Sequence, residues 1–330
     1  MTGLLFAGLV VPVASDAAVS SWETVVLEPL SPGESTRVGA VNNAGISVGS
    51  SGTTPVRWDV AGSPTALSVP AGCTRGDGRR ISEGGVVLGA VTCGGHARSV
   101  HWLANGTAVD HPAGFFGLDY DDASGILVGS MTPGDGTAHA AAYQPGSPII
   151  DLADGDAGDS FARAMQADGY VVGTLLTAPS SGNPGYQVAA GWYGPWAFPL
   201  VRTDIRSAAV DVNEAGFALV QVSEPGYNRG VLVAPGGRLI AIENGGVADD
   251  VVDLNNNGAV VGYRSTGSTA VGLIYVGGGS ARLDELASPA DATALGFHSP
   301  VSINDNAWVV GNLRSDQGVY TAWLLRPPTT

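Results

Sequence analysis

One short pattern of apolar and polar positions recurs along the chain. An apolar residue is followed by an Asn-like residue, two turn residues, Gly, and an apolar run closing on Val-Gly. It reads as Val41-Asn42-Asn43-Ala44-Gly45-Ile46-Ser47-Val48-Gly49 and returns over 81–89, 122–129, 165–173, 212–219, 254–262 and 303–311. The fifth copy carries Val220 where the others end on Gly. The turn positions 45, 85, 125, 169, 216, 258 and 307 lie 40 to 49 residues apart, so the chain is a repeat array. In each copy the first two strands flank the Asn-x-x-Gly turn, because Asn and Gly tolerate the positive φ of a tight hairpin.

A third strand follows a variable loop and carries an aromatic at one matched place: Trp58, Trp102, Tyr143, Trp192, Tyr275 and Trp323, with Val233 in the fifth unit. A Gly- or Pro-containing turn then leads to a short apolar fourth strand, as in 148–152 and 282–286. Four antiparallel strands in this length make one propeller blade. The predicted fold is all-β: a seven-bladed β-propeller with four-stranded antiparallel blades. Units are placed at about 37–69, 79–110, 117–152, 162–200, 208–242, 250–286 and 300–326. The seventh unit ends after its third strand, whereas residues 22–27 form an orphan strand ahead of the first. Pairing the two completes the last blade and closes the ring, which removes open sheet edges. An open solenoid would carry distinct capping repeats.

Composition supports the same class. The 49 Gly and 20 Pro, with only 14% charged residues, favour short strands and tight turns over helices. Thirty acidic residues against 15 basic give a net charge of −15. That balance opposes nucleic-acid binding, which depends on cations against phosphates, and adhesion to anionic lipid. Residues 4–13 form a short apolar run followed by small residues, which predicts a signal peptide over 1–18, a propeller from 19 to 330 and a secreted protein. The first residues lack the usual cation. After signal cleavage no membrane insertion is expected, and a monomer is the expected state. Two cysteines, Cys73 and Cys93, fit neither a zinc nor a redox motif, and in an exported protein they predict one disulfide. The bridge would contribute about 3 kcal/mol.

The repeat resembles the HAF repeat of bacterial extracellular proteins, whose unit runs Ala-x-Asp-Ile-Asn-x-x-Gly-x-Val-Val-Gly before a His-Ala-Phe element. The best matches are Val252-Asp253-Leu254-Asn255-Asn256-Asn257-Gly258 and Asp211-Val212-Asn213-Glu214-Ala215-Gly216, with partial matches at His96-Ala97 and His139-Ala140. The resemblance covers about residues 20–328, is degenerate in the first four units, and implies a secreted propeller. It brings no catalytic residues.

Candidate chemistry is sparse. Residues 253–258 read Asp-x-Asn-x-Asn-Gly, like the start of a calcium loop, but the twelfth position is Arg264 instead of Glu. The repeat's hairpin turn accounts for the same span, and neither metal nor cofactor is expected. In a propeller the loops joining strand four to one and two to three gather at the channel mouth. Placement puts Cys73, Cys93, His96, His111, His139 and His298 in such loops, together with the less compelling Arg163, Arg202, Arg206 and Asp250. Phe115, Phe116, Phe161 and Phe297 fall there as well. These rings either fill gaps between blades or line an apolar pocket, with His298 or Arg206 orienting a polar group. No nucleophile elbow, metalloprotease helix or phosphate loop occurs in a supporting context, so no catalytic residue is assigned. Two functions stay open. One is an extracellular ligand-binding or scaffold propeller with an unidentified ligand. The other is a lyase, hydrolase or cyclase working at the channel mouth on a hydrophobic substrate.

Overall fold

A computed structural model describes residues 21–134, 136–153, 159–176, 185–224, 227–242, 249–265 and 270–328. The expected signal peptide lies outside the described residues. Seven four-stranded antiparallel sheets form the blades of a ring. The inner strands are Thr36–Val41, Cys73–Ile81, Phe115–Tyr120, Ser160–Met165, Arg206–Val212, Asp249–Leu254 and Pro300–Ile303, in blades 1 to 7. The strand Glu23–Val26 adds to Tyr320–Arg326 as the outer strand of blade 7, in register from Glu23 opposite Arg326 to Val26 opposite Trp323. The ring is therefore closed by both chain ends.

Every inner strand carries a one-residue irregularity at the same place, for example between Val38 and Ala40 and between Val251 and Asp253. Such bulges bend a strand and re-aim the following side chain. They also explain the repeat's closing Gly. A Cβ on Gly49, Gly129 or Gly173 would collide with the carbonyl of Arg37, Phe116 or Phe161 on the inner strand.

The hairpin after each inner strand has positive φ at its turn position, including Ala307 at 58° in the one copy without Gly. Its Asn side chain does two jobs. The Asn304 Oδ1 accepts from the Trp308 N–H of its own turn at 2.9 Å, and its Nδ2 donates to the Asn42 carbonyl of the next blade at 2.8 Å. Asn42, Asn213 and Asn255 repeat both contacts, each amide reaching the blade that follows. In blade 4 the side chain of Gln166 donates to the Glu214 carbonyl, and in blade 2 the Ser82 hydroxyl donates to Asp122. A second belt lies beside the first. Glu83, Asp122, Asn256 and Asp305 each accept from a turn N–H of the preceding blade. The acidity of this face thus supplies acceptors to the hairpin donors of the neighbouring blade.

The core lies between blades. Trp58, Trp102, Trp192 and Trp323 of the third strands are fully buried, and the Trp58 and Trp102 indoles donate to the carbonyls of Glu28 and Ser68. The segment 282–286 departs from the predicted fourth strand. In blade 6 that strand is Gly279–Arg282, and Leu283–Leu286 and Pro289–Leu295 are short helices. Leu-Asp-Glu-Leu contains good helix formers and no β-branched residue. Ser288 caps the second helix by accepting from the Asp291 N–H, with Pro289 in its first turn.

Cys73 and Cys93 form the disulfide, and they are direct cross-strand partners on the first two strands of blade 2. The sequence pattern places both in loops, whereas both lie on strands. This inner strand simply begins earlier, at Cys73, and is the longest of the seven.

Closure should be sensitive at Leu27, which is fully buried and whose N–H donates to the Ala322 carbonyl. Leu27→Ala is expected to lower unfolding free energy by about 3 kcal/mol in urea titrations. Glu23→Gln, which removes an exposed ion pair with Arg326, should change it by less than about 1 kcal/mol.

Candidate functional site

Two of the cavities among the described residues open along the channel. The first, about 380 Å³, sits at the end carrying the Asn turns. Its walls hold the residues that follow the bulges, among them Ala40, Arg80, Asp119, Asp211, Asp253 and Ser302. Arg80 of blade 2 crosses the channel to Asp253 of blade 6, with Nη1 to Oδ1 at 3.2 Å. The carboxylates also hold the ring. Asp119, Asp211 and Asp253 each accept, through one oxygen, from the Met165, Leu254 or Ile303 N–H of the following blade.

Burial opposes the charge on Arg80, but Asp253, Asp211 and Asp119 outweigh it and keep the guanidinium protonated. Burial pushes the Asp119 carboxyl up to about 6, with Arg80 pulling the other way. Burial, reinforced by repulsion from Asp253, holds Asp211 well above the usual carboxylate range. One cation thus faces three carboxylates, and the cluster retains protons where isolated aspartates would not. The span 253–258 is occupied by the same framework. Asn255, Asn256 and Asn257 donate to blade 7, and Asp253 holds Arg80 and the Ile303 N–H. Among the described residues no group of acidic, His or Cys side chains is arranged to hold a metal.

The second cavity, about 620 Å³, lies at the mouth between blades 1 and 2. The starts of their inner strands and the ends of their second strands form its walls, with Arg37, Thr53, Arg75, Asp77, Arg79 and Asn312 as the principal polar contributors. The disulfide stands two residues before Arg75. Asn312 of blade 7 fixes the wall opposite, accepting from the Val38 N–H and donating to its carbonyl.

The residues singled out from sequence do not converge here. Phe297 is fully buried, edge-on to Trp323 at 4.8 Å, and Phe115 is buried against Tyr143 and His111. Both are gap fillers. Phe116 and Phe161 are partly exposed on inner strands instead of loops, and Phe116 meets the mouth cavity only through Arg79, whose Cζ lies 5.4 Å from its ring centre. His96, Arg206 and His298 are exposed and line neither cavity. His139 bridges Thr137 at 2.9 Å and Asp151 at 2.6 Å. It joins the third and fourth strands of blade 3, where the ladder is only two residues long. His111 is buried too, in a chain from Ser99 through His111 to His101 that opens on neither cavity. Burial, then repulsion from His101, drives the His111 imidazole down to about 3, so it stays neutral.

The arginine wall and the channel cluster were not singled out from sequence. A signal existed for each. Residues 75–80 hold four charges in six positions of a chain only 14% charged. Aligning the units on their turns puts Arg80, Asp211 and Asp253 at one repeat position, with Asp119 one residue earlier ahead of a longer turn.

No protein-family profile matches the chain, and no curated protein sequence matches it. Solved structures do. The chain is similar to puromycin hydrolase (16% identity, TM-score 0.57) over 93% of its own length and 55% of that protein's, so it spans about half of that chain. It is similar to the β-propeller domain of the Trilobed protease from Pyrococcus furiosus (10% identity, TM-score 0.60), covering 88% of this chain and 93% of that one. It is also similar to an inactive variant of virginiamycin B lyase from Staphylococcus aureus solved with quinupristin (10% identity, TM-score 0.52), covering 92% and 99%. At such identities the likeness shows the propeller fold alone.

The channel carboxyls make a pH prediction. A folded-state pKa raised above the ordinary value near 3.8 means stability that is complete below that value and is lost as pH rises through about 6. Urea midpoints should therefore fall as pH rises across this window. Asp119→Asn keeps an acceptor for the Met165 N–H and should flatten the dependence. Equal slopes in the two proteins would rule out Asp119 as its source.

Proposed function

We propose that this chain is an extracellular propeller of the HAF-repeat type that binds a small molecule in the mouth cavity between blades 1 and 2. The single observation that carries this reading is the cavity itself: about 620 Å³, polar-walled, and bordered by the disulfide. Concave pockets with a few convergent polar groups are the usual form of a ligand site. The disulfide supports an oxidising compartment. Among the described residues no helix is long and apolar enough to cross a membrane, which is compatible with that location.

The alternative of an enzyme on a hydrophobic substrate draws support from fold neighbours that include a hydrolase and a lyase. Burial of Phe115 and Phe297 withdraws these two rings from the apolar lining such a substrate would need. The binding reading is the better supported of the two.

Thr53 is exposed at the cavity edge, so Thr53→Trp should fill the opening without disturbing the core. A thermal-shift screen of a chemically diverse metabolite library is expected to give ligands that stabilise the wild type and not this variant. Ligands that stabilise both equally would place the site elsewhere, and a screen without any stabilising compound would remove the proposal.

A further inference from the structure

Every basic residue in the chain is arginine, 15 in all against 30 carboxylates. With acids in twofold excess, a guanidinium lacking a counter-ion is unexpected. At least seven of the fifteen have one, as in Arg98–Asp110, Arg229–Glu224, Arg282–Asp284 and Arg326–Glu23. The mouth cavity gathers three guanidinium groups in one place. Arg75 has no ion-pair or hydrogen-bond partner for its guanidinium among the described residues. Arg37 has only the ring of Tyr320, with Cζ 3.7 Å from its centre. Arg79 is engaged by Asp77 through Nε at 2.8 Å, and its terminal nitrogens have no described partner. Three guanidinium groups thus face one cavity with a single carboxylate among them, in a chain of net charge −15.

The room between them is built in as well. Gly39, Gly49, Gly76 and Gly78 lie in the cavity wall. A Cβ on Gly39 would lie 2.6 Å from the Gly78 carbonyl, and one on Gly78 would lie 3.1 Å from the Gly49 nitrogen. The two backbones therefore meet without side chains between them, and the space above is left for a guest. The wall is held in place from both ends. The disulfide clamps the strand just before Arg75, and the Arg79 guanidinium lies over Phe116.

We infer that the mouth cavity binds its small molecule through an oxyanion, a carboxylate or a phosphate, received by Arg37, Arg75 and Arg79. This rests on the reading of that cavity as a ligand site. A guanidinium presents paired N–H donors in a planar fork that matches both groups, and charge-assisted bonds of this kind are the strong ones. Arg37, stacked on Tyr320, and Arg79, held by Asp77, are already placed and lose little conformational freedom on binding. The channel cluster offers no competing anion site, because its carboxylates outnumber Arg80.

The test is calorimetric titration of the full chain with inorganic phosphate and, separately, with citrate, each against sodium chloride at matched ionic strength. At least one should bind saturably, and the preferred probe tells phosphate from carboxylate. The double variant R37Q/R75Q should bind roughly tenfold more weakly or worse, since each lost bond to a charged group is that large. R238Q, which removes an exposed arginine on a remote turn, should bind like the wild type. Circular dichroism melts establish that the variants fold. No saturable binding of either probe beyond chloride overturns the inference, as does equal weakening in R238Q and R37Q/R75Q. If Thr53→Trp blocks a neutral library ligand that R37Q/R75Q still binds, the cavity remains a ligand site and the oxyanion assignment falls alone.

Discussion

The ring depends on one repeated interaction, a buried side-chain amide that serves its own hairpin and the next blade at once. A hairpin with Asn before its turn has a donor and an acceptor on one short side chain. Here the acceptor closes the local turn and the donor reaches a carbonyl one blade away. The amides are buried, so removing one would leave a carbonyl and an N–H without water or partner, the costly case for hydrogen bonds. Four blades hand an amide donor to their successor, Gln166 and the Ser82 hydroxyl stand in for two more, and in blade 3 Asp121 bonds only its own turn. The Asn304 bond to Asn42 joins the seventh blade to the first across 262 residues of sequence. The added strand Glu23–Val26 closes the outer edge, and this bond closes the inner one.

The same geometry sorts charge along the channel. On the turn face, carboxylates and amides are consumed as acceptors for hairpin N–H groups, and the bulges swing Asp119, Asp211 and Asp253 onto Arg80. That end is a structural plug, crowded with groups that already have partners. At the other end the inner strands of blades 1 and 2 approach through glycine, and three arginines with a single carboxylate among them frame the gap. Function is therefore assigned to the mouth.

Much of this was legible in the sequence because the repeat's signals are local. Gly at the turn, Asn before it and the third-strand aromatic each answer a constraint within one blade, so seven copies and the closing strand could be read by eye. Features set by neighbours were harder. Asp253 to Gly258 imitates a calcium loop, since Asn and Asp suit a hairpin that must bond the next blade as well as they suit a cation. Phe115 and Phe297 sit at similar places in their units as Phe116 and Phe161, but strand alternation turns Phe115 inward, and Phe297, at φ 46° in the loop after the second helix, packs on Trp323. Leu283 to Leu286 carried the apolar pattern of a strand in a stretch too short to reveal its period. The arginine wall has no signature within one repeat, because its members come from two blades, and one of them, Arg75, lies on a strand extended beyond the repeat.

Amide hydrogen exchange at the turns tests the girdle most directly. The N–H groups of Ile46, Phe217, Ala259 and Trp308 all donate to the Asn side chain of their own turn. If those amides lock the blades into one cooperative ring, these four protons should exchange at a common slow rate, through opening of the whole ring. Blades stabilised one by one, as in a linear array, would exchange at separate rates, with blades 1 and 7 opening before the rest. The second result would contradict the girdle.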